Sequence, residues 1–369
     1  MPNIQKRIIN LQLLNLDIGT WTLTNECKIK QIYIVNSITA QKKSTGFILE
    51  IQRMSTEDGP GLRTTVFFKG CSLACTWCHN PESISPHPQV HWIDSRCIAC
   101  KTCLDTCPVD ALAMTPEGIS IDRGLCDDCG ICVEACPSTA LEQLGRQWTQ
   151  AELVHEVLKD RVYFEKSGGG ITVSGGEPTL QADFVTGFLK QIRAEGIHTA
   201  LDTCGLCGPR ALDKLLPYST LVLFDIKEID AHQHHAFTGS GNRIILDNLI
   251  HVSRYVETHL YPEGLWIRTP LVPGATATIQ NISGIGNWIS RHLKGQIKRW
   301  ELCSFNNLCR DKYTRLGLTW QFQDETLLGE DHINKLLATA KSSGVDPDIV
   351  HWTGAARLGE QTEAVSIKP

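Results

Sequence analysis

Three cysteines, Cys71, Cys75 and Cys78, stand in the stretch "DGPGLRTTVFFKGCSLACTWCHNPES" directly behind an apolar run, with no fourth nearby. Their positions would share a helix face, but Gly70, Trp77, His79, Asn80 and Pro81 make a poor helix. A structural zinc ion would want a fourth Cys or His at regular spacing, and His79 is too close to Cys78 to wrap the same ion. A [4Fe–4S] cube takes one thiolate per iron. Three thiolates therefore leave one iron open to bind a substrate through oxygen and nitrogen, as catalytic metal sites do.

Eight more cysteines form two runs, "CIACKTCLDTCP" (97–108) and "CDDCGICVEACP" (126–137). Each reads C-x2-C-x2-C-x3-C-P, the bacterial two-cluster ferredoxin pattern, in which the fourth cysteine serves the other cluster. One cluster then uses Cys97, Cys100, Cys103 and Cys136; the other uses Cys126, Cys129, Cys132 and Cys107. Zinc knuckles would leave both Cys-Pro endings unexplained. The two clusters read as an electron wire, with a structural role as the alternative. Of the 16 cysteines these clusters account for eleven; tight clusters in a long chain argue for metal rather than disulfides. Cys27, Cys303 and Cys309 are scattered, and Cys204 and Cys207, although a CxxC, read as packing.

The elements that must position these groups follow from pattern. The 369 residues suffice for one or two domains with a sizeable core. Lys+Arg (35) do not outnumber Asp+Glu (40), which argues against nucleic acid, and no apolar run is long enough for a membrane span. The first residues weakly resemble a secretory signal, but Asp17 interrupts the apolar stretch and no cleavage site follows, so a cytoplasmic protein is expected. "GFILEIQRM" and "TTVFFKG" read as strands around a Gly/Pro turn. The block 93–145 is too poor in apolar runs to build a core of its own. Thr149 and Glu152 then spell a capping box. Beyond it, strands such as "GGITVSGG", "HTALDTCG", "STLVLFDIKEI", "LWIRTPLVPG" and "RWELCSF" alternate with helices. That alternation predicts an α/β fold: six or so βα units on a parallel sheet, a full or partial barrel with chemistry at the C-terminal strand ends. The expected segments are an N-terminal extension (1–45), the first barrel strands with the cysteine loop (46–92), the insert (93–145), the rest of the barrel (146–325), and a C-terminal helix and tail (326–369).

Cys71-Ser-Leu-Ala-Cys75-Thr-Trp-Cys78 resembles the signature of the radical S-adenosylmethionine (SAM) superfamily. The resemblance implies a partial (β/α)6 TIM-like barrel carrying a small 2[4Fe–4S] ferredoxin-like insert, hence three [4Fe–4S] clusters. It also implies SAM chelated by the open iron and split to a 5′-deoxyadenosyl radical. "SGGEP" looks like the family's GGE motif, which puts Gly175, Gly176 and Glu177 at the methionine amino group. By the same resemblance Asp202, Thr203 and Asp225 help bind a monovalent cation, Lys227 faces the cofactor with a catalytic role, and Arg268 lies near the same pocket.

From about residue 46 to 352 the chain is similar to the activating enzymes of glycyl radical enzymes, with "YFEKSGGGITVSGGEPTLQ" and "HHAFTGSGNRIILDNL" adding to the match. The resemblance implies hydrogen abstraction from a backbone glycine of a partner in a transient complex, near a loop of Asp58, Gly59, Pro60, Gly61 and Arg63. It implies flavodoxin or ferredoxin as electron donor, a monomer, and anaerobic cytoplasm. His234 matches the group's histidine, although "HQHHAF" on its own reads as solvated residues at a helix start. Asn306 stands where the pyruvate formate-lyase activator carries a histidine. That departure favours a partner of the arylsuccinate synthase, arylacetate decarboxylase, or glycerol or choline lyase type. The alternatives are a radical SAM maturase acting on another target and a non-catalytic ferredoxin-type carrier.

Overall fold

The structure, a computed structural model, describes residues 45–357 apart from Lys294 and Gln296. The expected N-terminal extension, up to residue 44, and Cys27 lie outside the described residues. Strands β1 (Thr45–Ser55) and β2 (Arg63–Phe68) pair antiparallel around the DGPG turn. The cysteine-rich insert holds β3 (Gln89–Trp92), α1 (Thr102–Asp105), β4 (Leu112–Thr115), β5 (Gly118–Ile121), α2 (Ile131–Ala135) and β6 (Leu141–Leu144). β7 (Arg146–Thr149) returns to pair antiparallel with β1. There follow α3 (Gln150–Val157), α4 (Arg161–Ser167), β8 (Gly170–Gly175), α5 (Ala182–Ala194), β9 (His198–Thr203) and α6 (Pro209–Leu215). Next come β10 (Leu221–Asp225), α7 (Ala231–Thr238), α8 (Arg243–Thr258), β11 (Gly264–Leu271) and α9 (Ile279–His292). β12 (Ile297–Ser304), α10 (Arg310–Arg315), α11 (Glu330–Lys341) and β13 (Val350–Thr353) complete the described chain.

The main sheet runs β13-β12-β11-β10-β9-β8-β2-β1-β7, and every pairing from β2 through β13 is parallel. Sequence neighbours lying side by side with helical crossovers are the arrangement of a partial βα barrel. The seventh parallel strand, β13, comes from the segment expected to be only a C-terminal helix and tail. Its four residues are too few to show a period in sequence.

Alternation along the strands sorts the residues. Val66, Phe68, Ile171, Val173, Leu201 and Phe224 pack outward against Phe184, Phe188, Leu249 and Ile285 of the helices, in one continuous core. Among the positions that turn to the other face, Thr65, Thr172, Ser174, Asp202 and Asp225 are polar. The capping box forms in full: Thr149 Oγ1 accepts from Glu152 N–H, and the Glu152 carboxylate accepts from Thr149 N–H.

In the insert, β3 pairs with β6 and β4 with β5, both antiparallel. This pairing begins at Gln89, inside the segment assigned to the barrel from sequence. The two cysteine runs fold alike. Ala99 and Asp128 take left-handed φ of 55° and 56°, as do Lys101 and Gly130 just ahead of α1 and α2. The Ala111 and Ala140 N–H groups donate to Cys107 and Cys136 Sγ at 3.3 and 3.2 Å. Two of the five buried residues in the insert's small core, Cys103 and Cys132, are themselves cysteines. That core is small for a segment of this length.

Candidate active site

The cysteine loop leaves the C-terminal end of β2 and is tied down on three sides. Gly70 N–H donates to Ser83 O (2.7 Å) and Cys71 N–H to Ile84 O (3.1 Å). Ala74 and Thr76 N–H groups donate to the carbonyls of Thr238 and Phe237 at the end of α7, both at 2.9 Å. The third tie is the segment around α10: Tyr313 Oη donates to Cys78 O (2.8 Å), Lys312 Nζ to Asn80 Oδ1 (2.7 Å), and His79 Nε2 pairs with Asn306 O (2.9 Å). Trp77, Phe305, Tyr313, Trp320 and Phe322 close an aromatic cluster over it.

Cys75 and Cys78 line a cleft of about 520 Å³. Burial pushes Cys75 up to about 11 and Cys78 higher still, so as thiolates both need a cation. Cys71 is shifted the other way, chiefly by the neighbouring Cys204 thiol. Among the described residues no three cysteine, histidine or carboxylate side chains gather as around a single ion. A cube, which takes each sulfur on a different iron, suits this donor set better than one zinc ion.

Facing the loop, the inward positions of β8 to β12 supply a charged floor. Asp202 Oδ2 accepts from Ser174 Oγ at 2.6 Å and lies 3.4 Å from Arg268 Nη1. Arg268 also reaches Asp58 (3.9 Å) and Glu301 (3.8 Å), and Lys227 Nζ pairs with Asp225 at 2.5 Å. Burial raises the Asp202 carboxyl to about 7 against the opposing pull of Arg268. Burial alone would lower Lys227 and Arg268, but the surrounding carboxylates and thiols outweigh it and hold both firmly cationic.

The comparisons with known proteins match this geometry. The radical SAM superfamily matches residues 65–278, from β2 to the start of α9. The chain belongs to the radical SAM superfamily. Within it, the (2S)-3-sulfopropanediol dehydratase activating enzyme of Klebsiella oxytoca is 38% identical over 284 residues, 76% of this chain and 88% of that protein. The isethionate sulfite-lyase activating enzyme of Oleidesulfovibrio alaskensis is 38% identical over 280 residues, 74% of this chain and 88% of that one. The benzylsuccinate synthase activating enzyme of Thauera aromatica is 34% identical, covering 76% and 85%. This radical SAM chain thus falls among the activating enzymes of glycyl radical enzymes.

The fold brings most of the sequence-predicted radical SAM residues to one cleft. Cys75, Cys78, Gly175, Asp202, Asp225, Lys227 and Arg268 line it, with Asp58. Gly175 has φ 110°, and a Cβ there would meet Phe68 N at 2.2 Å; one on Gly176 would meet Gly70 O at 2.1 Å. These glycines let the end of β8 press against the start of the cysteine loop. Glu177 lies beneath the cleft and not in its lining. It is fully buried, and its carboxylate accepts from Thr179 N–H and Oγ1, Thr203 Oγ1 and Cys204 N–H. Thr203 turns toward this brace, away from Asp202 and Asp225.

Of the DGPG loop only Asp58 lines the cleft. Arg63 is fully buried and donates to Pro60 O (3.1 Å), Ile171 O (2.7 Å) and Thr172 Oγ1 (2.6 Å), pinning Gly59, Pro60 and Gly61 to the sheet. His234 is a correction: it is 1% exposed, with Nδ1 2.5 Å from Ser240 O and 3.0 Å from Thr238 Oγ1, because α7 turns it inward. Cys204 is buried as expected, yet its thiol serves Cys71. Sequence reasoning passed over Glu301 and Cys303, although in "RWELCSF" they are the alternate positions of an otherwise buried strand. Asn306 does line the cleft, and its carbonyl orients His79.

Proposed function

We propose that this protein uses SAM and one electron to place a radical on a backbone glycine of a partner glycyl radical enzyme. The observation that carries the reading is the cleft itself. It sets a three-cysteine loop against the Lys227–Asp225 and Arg268–Asp202 pairs, with Asp58 beside them, in a chain most of whose length resembles activating enzymes. The residues that would hold the cluster are Cys71, Cys75 and Cys78. With SAM bound, that cluster supplies the one-electron cleavage of the sulfonium to methionine and a 5′-deoxyadenosyl radical.

The chain's own groups do the holding. Gly175 and Gly176 bring backbone to the methionine end, with Glu177 fixing the turn that presents them. Asp202 and Asp225 offer oxygens for a monovalent cation, with Thr203 set to brace Glu177. Lys227 and Arg268 keep positive charge toward the cofactor, and Asp58, with Gly59, Pro60, Gly61 and Arg63 behind it, shapes the approach of the partner's glycine. The aromatic cluster over the loop shields the reacting end from water.

The insert is a ferredoxin-like domain with two further [4Fe–4S] clusters, three in all, fed by flavodoxin or ferredoxin. The protein works as a monomer in anaerobic cytoplasm and meets its partner transiently. That partner is a dehydratase, a carbon–sulfur or carbon–nitrogen lyase, or an arylsuccinate- or decarboxylase-type enzyme in preference to pyruvate formate-lyase. Among the described residues no helix is long and apolar enough to cross a membrane.

The test is isotopic. Reduced protein is mixed with SAM and a candidate partner carrying deuterium at the glycine α-carbon. Deuterium appearing in the 5′-deoxyadenosine is expected. Abundant unlabelled 5′-deoxyadenosine across every candidate partner would move the assignment to a maturase; none at all would move it to an electron carrier.

A further inference from the structure

Lys69 sits two residues ahead of Cys71 and takes no part in the cleft. Its side chain is 1% exposed, and Nζ donates to Glu82 O (2.7 Å) and to Gln89 Oε1 (3.2 Å). Both direct acceptors are neutral, and the carboxylates of Asp128 and Glu82 act on this buried ammonium only from farther off, a placement that needs a reason. Gln89 opens β3, where the chain enters the insert. Gly145, where the chain leaves it, packs so closely that a Cβ would stand 2.1 Å from Lys69 Cδ. Lys69 thus touches both crossings between barrel and insert.

The two cysteine runs are not equivalent with respect to this residue. Asp128, within the second run, accepts from Val90 N–H at Oδ1 (3.0 Å), and its carbonyl accepts from Gln143 Nε2 (2.7 Å). Val90 follows Gln89. A continuous path of covalent and hydrogen bonds therefore leads from the second run through Asp128, Val90 and Gln89 to Lys69, Gly70 and Cys71. At the matching place in the first run stands Ala99, in the same left-handed conformation but without a side chain that could make this tie.

We propose that Lys69 is the positioning residue of an electron junction, and that the cluster held by Cys126, Cys129, Cys132 and Cys107 is the one that reduces the barrel cluster. The proposal rests on the reading of the insert as a two-cluster carrier. One electron leaves the second-run cluster, which is oxidised, and enters the barrel cluster, which is reduced. A one-electron donor of the flavodoxin or ferredoxin class replaces it through the first-run cluster, and no bond or proton changes hands. The buried ammonium stabilises the added negative charge on both sides of the junction, and its stem fixes their spacing.

The test uses the full chain, reconstituted anaerobically. About 12 irons per chain are expected. Reduced samples are read by electron paramagnetic resonance, taking as the barrel signal the one that changes on adding SAM. Replacing Cys126 and Cys129 by Ala should relieve the magnetic broadening of that signal, while replacing Cys97 and Cys100 by Ala should leave it. Lys69→Met should keep the wild-type iron content yet slow barrel-cluster reduction by reduced flavodoxin, followed by freeze-quench, by an order of magnitude or more. Relief on losing the first run alone, or a wild-type rate in Lys69→Met, would overturn the proposal. If removing either pair empties the whole insert, the Lys69→Met rate decides. About four irons in the wild type would instead reject the two-cluster reading itself.

Discussion

Glu177 gathers four donated hydrogen bonds onto one buried carboxylate, two from Thr179, one from Thr203 and one from Cys204 N–H. An amide in its place must turn an NH₂ toward a donor, whichever way it is flipped. Glu177→Gln should therefore cost roughly 2 kcal/mol, seen as a lower urea midpoint, and Thr203→Val, which removes one donor to Glu177 and the acceptor of Gly205 N–H, should cost about 1–2 kcal/mol. Equal midpoints for wild type and Glu177→Gln would reject the brace. The glycines beside it were singled out only by the resemblance of "SGGEP" to the family motif, since by themselves they read as an ordinary strand-to-helix turn. The brace was not legible: two of its four donors come from the end of the next strand, and only the parallel register of β8 and β9 brings them underneath. The same holds for Arg63, which looks like an exposed turn residue and is fully buried. His234 misleads in the same direction, since three histidines at a helix start look solvated until α7 shows which one faces in.

At the scale of elements, the alternation of buried strands and amphipathic helices carried the main sheet plainly. Fully buried runs such as "GITVSG" and "LVLFD" can only be central parallel strands. The four-residue strands β3, β7 and β13 escaped because a period of two needs more length to stand out. The segment from Phe305 to Phe322 escaped for another reason. Apart from the six residues of α10 it has no regular structure, and it packs against the cysteine loop. Tyr313 stacks on Trp320 with ring centres 5.3 Å apart while its hydroxyl holds Cys78 O. Tyr313→Phe keeps the stack and loses only the bond, a cost of about 1 kcal/mol. Trp320, 2% exposed, anchors the whole clasp, and Trp320→Ala should cost about 3–5 kcal/mol. Urea unfolding of the two variants checks the order; if Tyr313→Phe proved the costlier, the clasp would not be held by its aromatic core.

For the whole molecule, the division of labour follows from where burial is available. The barrel buries one continuous apolar core between strands and helices, and its inner face carries the charged groups of the cleft. The insert, with few buried side chains, folds its two cysteine runs alike. Barrel and insert meet at Lys69, and the cysteine loop begins two residues later. On the proposed reading of the insert, electron entry and radical chemistry are neighbours in space as well as in sequence. A partner glycine must come to this cleft, and its α-hydrogen suits the reaction because no side chain shields it and the resulting radical is delocalised over the flanking amides. The most direct measurement is the electron paramagnetic resonance spectrum of the partner after incubation with reduced protein and SAM. A glycine-centred doublet that collapses to a singlet when that glycine carries deuterium at its α-carbon is the predicted result. SAM cleavage with no radical on any candidate partner would contradict it.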